Sequence, residues 1–406
     1  MNAILPSRRG VLAGAASFGL ALELLAVPAL AADRDLANRK VIVVICRGGM
    51  DGLSVAPPIG DPAYQGLRGA LALDTTALPL DGTFGLHPAL TTVQTLAQAG
   101  EARIVPAVAT PDRARSHFEA QDVLESGAAG VYSASSGWLN RAVEALSAHR
   151  KVEALSVGAT APLILRGKVQ TASWSPGRTV DAEARLPTLL QDLYRNDPLL
   201  GPALARGLAT EVMAQAATAD MATQGMAGQT PPANALRQGR DAARSLGVSL
   251  AGFMREPGGP QVAAISLDGF DSHANQAGLL NNRLAYMDAV LDGVHSGLGP
   301  EWKNTVVIVA TEFGRTARIN GTGGTDHGTA STALLLGGAL KKGGIVGDWP
   351  TLKANALFEN RDVAPTLDMR GLFKGVLAEH MGLDHAVLEK AVFPDSAAAK
   401  PVLGLV

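Results

Sequence analysis

Four runs of apolar residues, many of them β-branched, predict the buried strands of one sheet. They lie at residues 40–45 (KVIVVI), 102–109 (ARIVPAVA), 261–267 (QVAAISL) and 305–310 (TVVIVA). A strand that is covered on both faces shows no polar alternation, and such runs are typical of parallel sheets. A shorter apolar run at residues 333–336 predicts a further strand after a long polar loop.

Stretches with apolar residues at helical spacing separate these runs. The predicted helices span residues 86–99, 119–125, 138–149, 233–254, 279–298 and 367–381. Short strands are predicted at residues 152–157 and 163–165, and a loop is predicted at residues 173–176. Strands that alternate with helices predict an α/β fold in which a doubly wound, mostly parallel sheet is flanked by helices. The Ala- and Leu-rich region at about 186–256 predicts a helical, cap-like insertion within a single domain of residues 32–406.

Composition narrows the class of protein. Of the 406 residues, 47% are hydrophobic, which is ample for the core of a large domain. Only 18% are charged and the net charge is −2, so the sequence presents no basic face and nucleic acid is not an expected partner. The single cysteine, Cys46, excludes an internal disulfide and is predicted to be a small buried hydrophobe.

The N-terminal segment has the features of a twin-arginine export signal. The sequence SRRGVL at residues 7–12 precedes an Ala/Leu/Gly run and a small-residue cleavage site near residue 31. A membrane anchor is the alternative, but Glu23 interrupts the apolar run and Pro28 precedes the cleavage site. We therefore predict that residues 1–31 are removed, that the twin-arginine translocation machinery is a partner, and that a periplasmic or secreted protein without a membrane span remains.

Polar clusters follow the predicted strands at the ends where ligands bind in open α/β sheets. The candidate metal ligands are Asp51, Asp268, Asp271, His273, Glu312, Asp326 and His327. Carboxylate oxygens and imidazole nitrogens suit a divalent cation such as Zn²⁺, Mn²⁺, Mg²⁺ or Ca²⁺. Simpler interpretations remain open, because Asp51 with Gly52 can form an ordinary turn and Asp271 can cap a helix beside a solvated His273.

A second kind of chemistry is indicated where a helix starts after the strand at residues 102–109. Ser116 and His117 lie at that start, with Arg113 and Arg115 just before them. Free backbone N–H groups and two guanidinium groups favour an anion pocket, in which Ser116 would be a nucleophile. A helix-capping role for the Ser116 hydroxyl is equally compatible with these residues.

Longer motifs carry a resemblance to a known family. They include CRGGMDGLSVAPPIGDPAYQGLR, LHPAL, RSHFEAQDVLESG, DGFDSHANQ and TEFGRTARINGTGGTDHG, in this order after the export signal. Together they resemble an exported family of unknown function that is related to the alkaline phosphatase and sulfatase superfamily. The resemblance implies a sheet of the alkaline phosphatase type with metals at its strand ends.

The same resemblance implies roles for single residues. Asp51 corresponds to the metal aspartate after the first strand, and Ser116 to the nucleophile. Asp268 or Asp271 with His273 corresponds to one metal site, and His327 to the last metal histidine. Glu312 replaces an aspartate, whereas Phe313 stands where the phosphatases carry a metal-binding histidine.

Two functions follow from these observations. The first is an exported, metal-dependent hydrolase of small phosphate or sulfate esters, in which Ser116 attacks and Arg113 or Arg115 holds the anionic group. The alternative is a periplasmic binding or assembly protein that retains the fold with a degenerate metal site and carries out no catalysis.

Overall fold

Strand β1 (Lys40–Cys46) lies inside the sheet, and all seven of its residues are buried. The protein is described by a computed structural model, which covers residues 36, 38–148, 151–158, 161–175 and 235–406. The predicted export signal at residues 1–31 and most of the predicted helical insertion lie outside these described residues.

Nine strands of the described residues form one sheet. Besides β1 they are β4 (Ala102–Ala109), β5 (Ala154–Val157), β6 (Ala172–Trp174), β7 (Val262–Leu267), β8 (Thr305–Ala310), β9 (Ser331–Leu336), β10 (Gly344–Ile345) and β11 (Leu367–Asp368). Their order is β10-β4-β9-β8-β1-β7-β5-β6, with β11 also pairing with β4. The pair β2 (Leu78–Pro79) and β3 (Gly85–Leu86) forms a separate two-stranded sheet.

Most pairs in the large sheet are parallel, as predicted. Val41 of β1, for example, pairs in parallel register with both Val262 of β7 and Val306 of β8. Strand β9 is the exception, because it runs antiparallel to β4 and to β8. A parallel return requires a crossover, usually a helix, whereas the polar segment before β9 reverses the chain without one.

Helices cover both faces of the sheet. Those of the described residues are α1 (Gly52–Val55), α2 (Tyr64–Arg68), α3 (Thr91–Gln98), α4 (His117–Ser126), α5 (Trp138–Ser147), α6 (Ala235–Arg255), α7 (Gln276–Leu298), α8 (Met369–Glu379) and α9 (His385–Val387). Ile42 and Val44 of β1 belong to a core cluster with residues of α3, α6 and α7. Val41, Val43 and Ile45 point the other way, into a cluster with residues of α5 and α8. This alternation confirms the prediction of a mostly parallel sheet with helices on its two faces.

Residues 163–165, predicted as a short strand, form a 3₁₀ helix instead. Three further differences come from strand pairing. The helix expected from residue 86 begins at Thr91, because residues 85–86 pair with β2 as a short strand. Residues 173 and 174, expected in a loop, belong to the edge strand β6 beside β5. Residues 367–368 pair with β4 before α8 begins, and the Asp368 side chain then caps that helix. In each case pairing with another strand outweighs local propensity.

Among the described residues, none of the helices is both long enough and apolar enough to cross a membrane.

Candidate metal centre

Three strand ends and the start of a fourth strand bring ligand side chains to one edge of the sheet. His117 begins α4 after β4, and Asp271 and His273 follow β7. Glu312 follows β8, while His327 precedes β9. Because β9 is antiparallel, its start lies at the same edge as the carboxyl end of β8.

The Asp271 carboxylate is the meeting point of three imidazole rings. Its Oδ1 lies 3.1 Å from His273 Nε2 and 3.4 Å from His327 Nε2. Its Oδ2 lies 3.5 Å from His117 Nε2. Donor atoms of His117, Asp271 and His327 all lie within 4.8 Å of one another. This is the spacing at which side chains can share one cation.

Each of the three rings is fixed through its other nitrogen. Nδ1 of His117 lies 2.9 Å from Glu312 Oε1, and Nδ1 of His273 lies 3.1 Å from Asp326 Oδ1. Nδ1 of His327 lies 2.9 Å from the backbone carbonyl oxygen of Arg115. Oxygen acceptors at Nδ1 favour a proton on that nitrogen, and in the neutral ring Nε2 then carries a lone pair. Metal-binding histidines are oriented in this way.

Two observations show that a divalent cation fits these residues. Nε2 of His117 is buried and has no hydrogen-bond partner among the described residues. Nε2 of His273 and Nε2 of His327 lie 3.0 Å apart, a separation that two ligand atoms of one cation would have. A tetrahedral ion with bonds of about 2.0–2.1 Å separates its ligand atoms by roughly 3.3 Å, which is close to the separations at Asp271. Three imidazoles and one carboxylate suit Zn²⁺, Mn²⁺ or iron.

The centre is open to solvent on one side. The side chains of Asp271 and His273 are 44% and 48% exposed, whereas Glu312 is fully buried behind His117. A small molecule can therefore approach the donor atoms from the Asp271 side.

Unusual backbone conformations hold two parts of this arrangement. Arg115 has a φ of +58°, in the left-handed region that side chains rarely adopt, and its carbonyl meets His327. Gly48 has a φ of +115°, and a Cβ added there would lie 2.3 Å from the backbone nitrogen of Asp271. The Gly48 N–H donates to Glu312 Oε1 at 2.8 Å. Only glycine fits this position of the loop after β1.

Charge around the centre is set by a buried arginine. Arg315 Nη1 donates to Asp271 Oδ1 at 2.8 Å, and Arg315 also binds the Thr325 carbonyl oxygen. Burial raises the pKa of Asp271, but the Arg315 hydrogen bond and charge outweigh it, so the pKa of this carboxyl lies below its ordinary value. Asp271 is therefore ionised at neutral pH.

The pKa values of the neighbouring groups follow from their contacts. The hydrogen bond to Glu312 raises the pKa of His117, and burial lowers the pKa of His327. For Glu312, burial raises the pKa, but the hydrogen bonds from His117 and from backbone N–H groups outweigh it and lower the pKa. The ionised Glu312 thus keeps the His117 proton on Nδ1.

Not every predicted metal ligand lies in this cluster. Asp326 and Glu312 contact histidine Nδ1 atoms rather than the shared space at Nε2. Asp268 is exposed. Asp51 is buried elsewhere, where it caps α1 and pairs with Arg68. The structure therefore brings together His117, Asp271, His273 and His327, of which His117 was predicted as a catalytic neighbour of Ser116 rather than as a ligand.

The residues predicted to bind an anion have different surroundings. The Ser116 side chain makes no capping hydrogen bond to α4, although it occupies the cap position. Arg113 donates to the carbonyl oxygens of Thr110 and Asp112. Arg115 donates to Asp362 at 2.9 Å and to Glu359. Both guanidinium groups thus have acceptors within their own chain.

Some residues of the centre carry no sequence signal of their own. Gln121 donates to Glu312 Oε1 at 3.2 Å, and Arg47 donates to Gln121 at 2.8 Å. The ring of Phe313 lies 4.9 Å from that of His117 and 4.8 Å from that of His327 between centroids. Helical periodicity places Gln121 one turn after His117, and this spacing is the only hint of its role.

A family model described as "Protein of unknown function (DUF1501)" matches residues 87–392. The chain belongs to this family. The match covers the candidate centre from His117 to His327, and it confirms the predicted membership of a family of unknown function. Among curated proteins, none matches the DUF1501 chain.

Several solved structures are similar to this DUF1501 protein. Ps i-CgsB in complex with k-i-k-neocarrahexaose shares 11% identity, covers 74% of this chain and 65% of its own, and has a TM-score of 0.36. The C-terminal periplasmic domain of EcEptC from Escherichia coli, in complex with Zn, shares 10% identity over 74% and 72% of the two chains, with a TM-score of 0.33. Alkaline phosphatase from the Antarctic bacterium TAB5 shares 13% identity over 75% and 93%, with a TM-score of 0.37.

An alkaline phosphatase is thus among the similar structures. Identities of 10–13% and TM-scores of 0.33–0.37 assign no activity to the DUF1501 chain. The chain spans slightly less than two thirds of the Ps i-CgsB structure. The function of this chain therefore depends on the chemistry of the side chains at the centre.

Proposed function

We propose that this protein is a metal-dependent hydrolase of small phosphate or sulfate esters in which Ser116 is the nucleophile. The observation that carries the proposal is the convergence of three Nε2 atoms on Asp271, one of them from His117, which follows Ser116 in the sequence. His117, Asp271, His273 and His327 would hold a divalent cation. Such an ion supplies Lewis acidity, which polarises an ester oxygen and lowers the pKa of a nearby hydroxyl group.

Two neighbours of Ser116 in the sequence support a role for it at the centre. The carbonyl of Arg115 orients His327, and the ring of His117 belongs to the centre. The Ser116 hydroxyl is not consumed as a helix cap. Of the two roles that the sequence left open, the absent capping bond supports the nucleophile.

The reaction would proceed in two displacements. Ser116 Oγ forms a bond to the phosphorus or sulfur atom while the bond to the alcohol oxygen breaks. The hydroxyl loses its proton and the departing alcohol gains one. Water then attacks the same phosphorus or sulfur atom, the bond to Oγ breaks, and the serine hydroxyl is restored. The net reaction converts the ester and water into an alcohol and inorganic phosphate or sulfate.

Arg315 is the better candidate for stabilising the anionic group than the two predicted arginines. It is buried, it is fixed by Thr325 and Asp271, and its charge lies at the centre. Arg113 and Arg115 are bound to acceptors of their own loop and to Asp362 and Glu359. A fixed charge at the reacting group stabilises a transition state more than a mobile one.

Hydrolysis of p-nitrophenyl phosphate and p-nitrophenyl sulfate by purified protein, with Zn²⁺ or Mn²⁺ added, tests the proposal. Ser116→Ala should abolish turnover of the ester that the protein hydrolyses, without reducing metal binding. Ser147→Ala, at the exposed end of α5, is the matched control and should retain activity. A wild-type protein that binds metal but hydrolyses neither ester would instead support the binding or assembly protein.

Export is a separate part of the proposal. The twin-arginine pattern at residues 7–12 supports delivery by the twin-arginine translocation machinery to the periplasm or the medium. Replacing Arg8 and Arg9 by lysine should leave uncleaved precursor inside the cell, as cell fractionation and the mass of the mature N-terminus would show. Normal processing of that variant would contradict this route.

A further inference from the structure

We propose that the centre takes a single divalent cation, because the Arg68 guanidinium fills the place beside Asp51 that the phosphatase resemblance gives to metal. This inference deepens the proposed function and rests on it. It concerns the number of cations that the site accepts and the side chain whose positive charge replaces a second cation.

The Asp51 carboxylate is already engaged by four protein donors. Its Oδ2 accepts hydrogen bonds from Arg68, from the Ser54 hydroxyl at 2.8 Å and from Gln276 Nε2 at 2.5 Å. Its Oδ1 accepts the Leu53 N–H at 3.2 Å. The side chains of Asp51 and Arg68 are 1% and 0% exposed. A cation would have to displace a buried guanidinium to reach this carboxylate.

The other residues that the resemblance would give to a second metal fit it no better. Glu312 Oε1 lies within hydrogen-bond distance of His117, Gln121 and the Gly48 N–H, and Oε2 accepts from the Thr311 hydroxyl. Phe313 offers no ligand atom, and its ring fills the space against His117 and His327. Asp51, Glu312 and Phe313 therefore do not supply the ligand atoms that a second cation would need.

Arg68 has few hydrogen-bond partners besides Asp51. Its Nη2 binds Asp51 and Ser54, and its Nη1 donates to the Thr316 carbonyl oxygen at 3.4 Å, while its buried Nε has no hydrogen-bond partner within the described part of the chain. A guanidinium selected for hydrogen-bond geometry alone would not leave a buried donor unpaired. The arrangement is that of a fixed positive charge neutralising one carboxylate.

A hydrogen-bonded chain links this pair to the metal centre. Gln276 donates to Asp51 and accepts from the Thr325 hydroxyl at 2.6 Å. Arg315 Nε donates to the same hydroxyl at 3.3 Å, and Arg315 Nη1 donates to Asp271. The Asp51–Arg68 pair thus supports the position of Arg315, which supplies the second positive charge beside the ester.

The number of cations bound per chain tests the inference. Wild-type protein, titrated calorimetrically with Zn²⁺ or Mn²⁺ and then desalted for elemental analysis, should contain one ion per chain even with excess metal. Two ions per chain with ester hydrolysis intact would overturn this inference and leave the proposed function standing. No bound ion and no hydrolysis would contradict the proposed function itself.

Variants of the buried pair give the second readout. Arg68→Ala/Phe313→His should raise the count to two, because Asp51 and Ser54 then offer oxygen ligands and position 313 offers an imidazole, whereas Arg68→Lys/Phe313→His should stay at one. A count of one in a folded Arg68→Ala/Phe313→His protein would show that the guanidinium does not occupy a cation's place. The neutral double variant Asp51→Asn/Arg68→Gln removes both charges and should still bind one ion. Loss of that ion would make Asp51 a ligand and overturn the inference.

Discussion

Nε2 of His273 lies 3.0 Å from Nε2 of His327, while the Nδ1 atoms of both rings face oxygen acceptors. The Arg115 carbonyl at His327 can only accept, so that ring must donate from Nδ1. The Asp326 carboxyl at His273 is ionised, because hydrogen bonds from His273 and Asn320 lower its pKa against the opposing effect of burial. Two lone pairs at this distance repel, so the contact requires a positive charge between them, either a proton on one Nε2 or a shared metal ion. Metal binding at these rings distinguishes the two.

Removing one of these rings should remove the cation. His327→Ala takes away a donor atom that lies within reach of both Asp271 and His273. We expect the affinity for Zn²⁺ to fall at least 100-fold in calorimetric titration, because three donors rarely hold the ion as tightly as four. His385→Ala, which changes an exposed histidine in α9, should titrate like the wild type. Equal Zn²⁺ affinities for the wild type, His327→Ala and His385→Ala would show that the ion binds away from His327.

Glu312 is predicted to act through His117. Glu312→Gln keeps the shape of the side chain but removes the charge that orients His117 Nδ1–H and raises the pKa of that ring. Losses of about 10- to 100-fold in metal affinity are typical when such a partner is changed. Calorimetry with Zn²⁺ measures the change, and the stoichiometry should remain that of the wild type. An unchanged affinity would show that Glu312 serves packing alone.

The Asp51–Arg68 pair should matter for stability rather than for metal affinity. Asp51→Asn leaves a buried guanidinium without its counter-charge, which typically destabilises a protein by about 3–5 kcal/mol. Urea denaturation should show this loss in the free energy of unfolding, while Zn²⁺ affinity of the folded protein stays within a few-fold. A large drop in Zn²⁺ affinity with little loss of stability would show that Asp51 is a metal ligand rather than a structural partner of Arg68.

A buried histidine outside the centre gives the fold a pH dependence. Burial lowers the pKa of His87 to about 4, against a smaller opposing effect of Asp51, and Nδ1 accepts the Ala89 N–H at 3.1 Å. The unfolded chain binds a proton near pH 6.5 and the folded chain only near pH 4. The stability that a neutral His87 supports is therefore complete above pH 6.5 and is lost as the pH falls towards 4.

The variant His87→Asn isolates this contribution, because its amide oxygen can replace Nδ1 as the acceptor. Between pH 7 and pH 4.5, wild-type protein should lose roughly 2–3 kcal/mol more free energy of unfolding than the variant. Chemical denaturation at the two pH values measures the difference. Parallel losses in both proteins would show that His87 does not titrate in this way.

Much of the fold could be predicted because its strands are buried on both faces. Strands β4 and β8 have the predicted bounds, since continuous β-branched runs leave little ambiguity. Strand β6 was predicted as part of a loop, because three half-buried or exposed residues at a sheet edge carry no such pattern. The antiparallel direction of β9 depends on how the polar loop before it folds, which periodicity does not encode.

The location of the centre could be predicted from the sequence better than the roles of its residues. Positions at strand ends indicated Asp271, His273 and His327 correctly as neighbours, because the carboxyl ends of parallel strands share an edge. The place of the His117 ring depends on the left-handed backbone at Arg115, for which no residue type in the sequence is diagnostic. Arg68, which neutralises Asp51, lies 17 residues further along an irregular segment, and no spacing rule connects the two.

The most direct test is to locate the ion. A crystal of the protein grown or soaked with Zn²⁺, measured at the zinc absorption edge, should show one anomalous peak per chain among Nε2 of His117, His273 and His327 and the Asp271 carboxylate. A peak beside Asp51 instead, or the absence of a peak at the histidines in protein that hydrolyses the ester, would contradict the account.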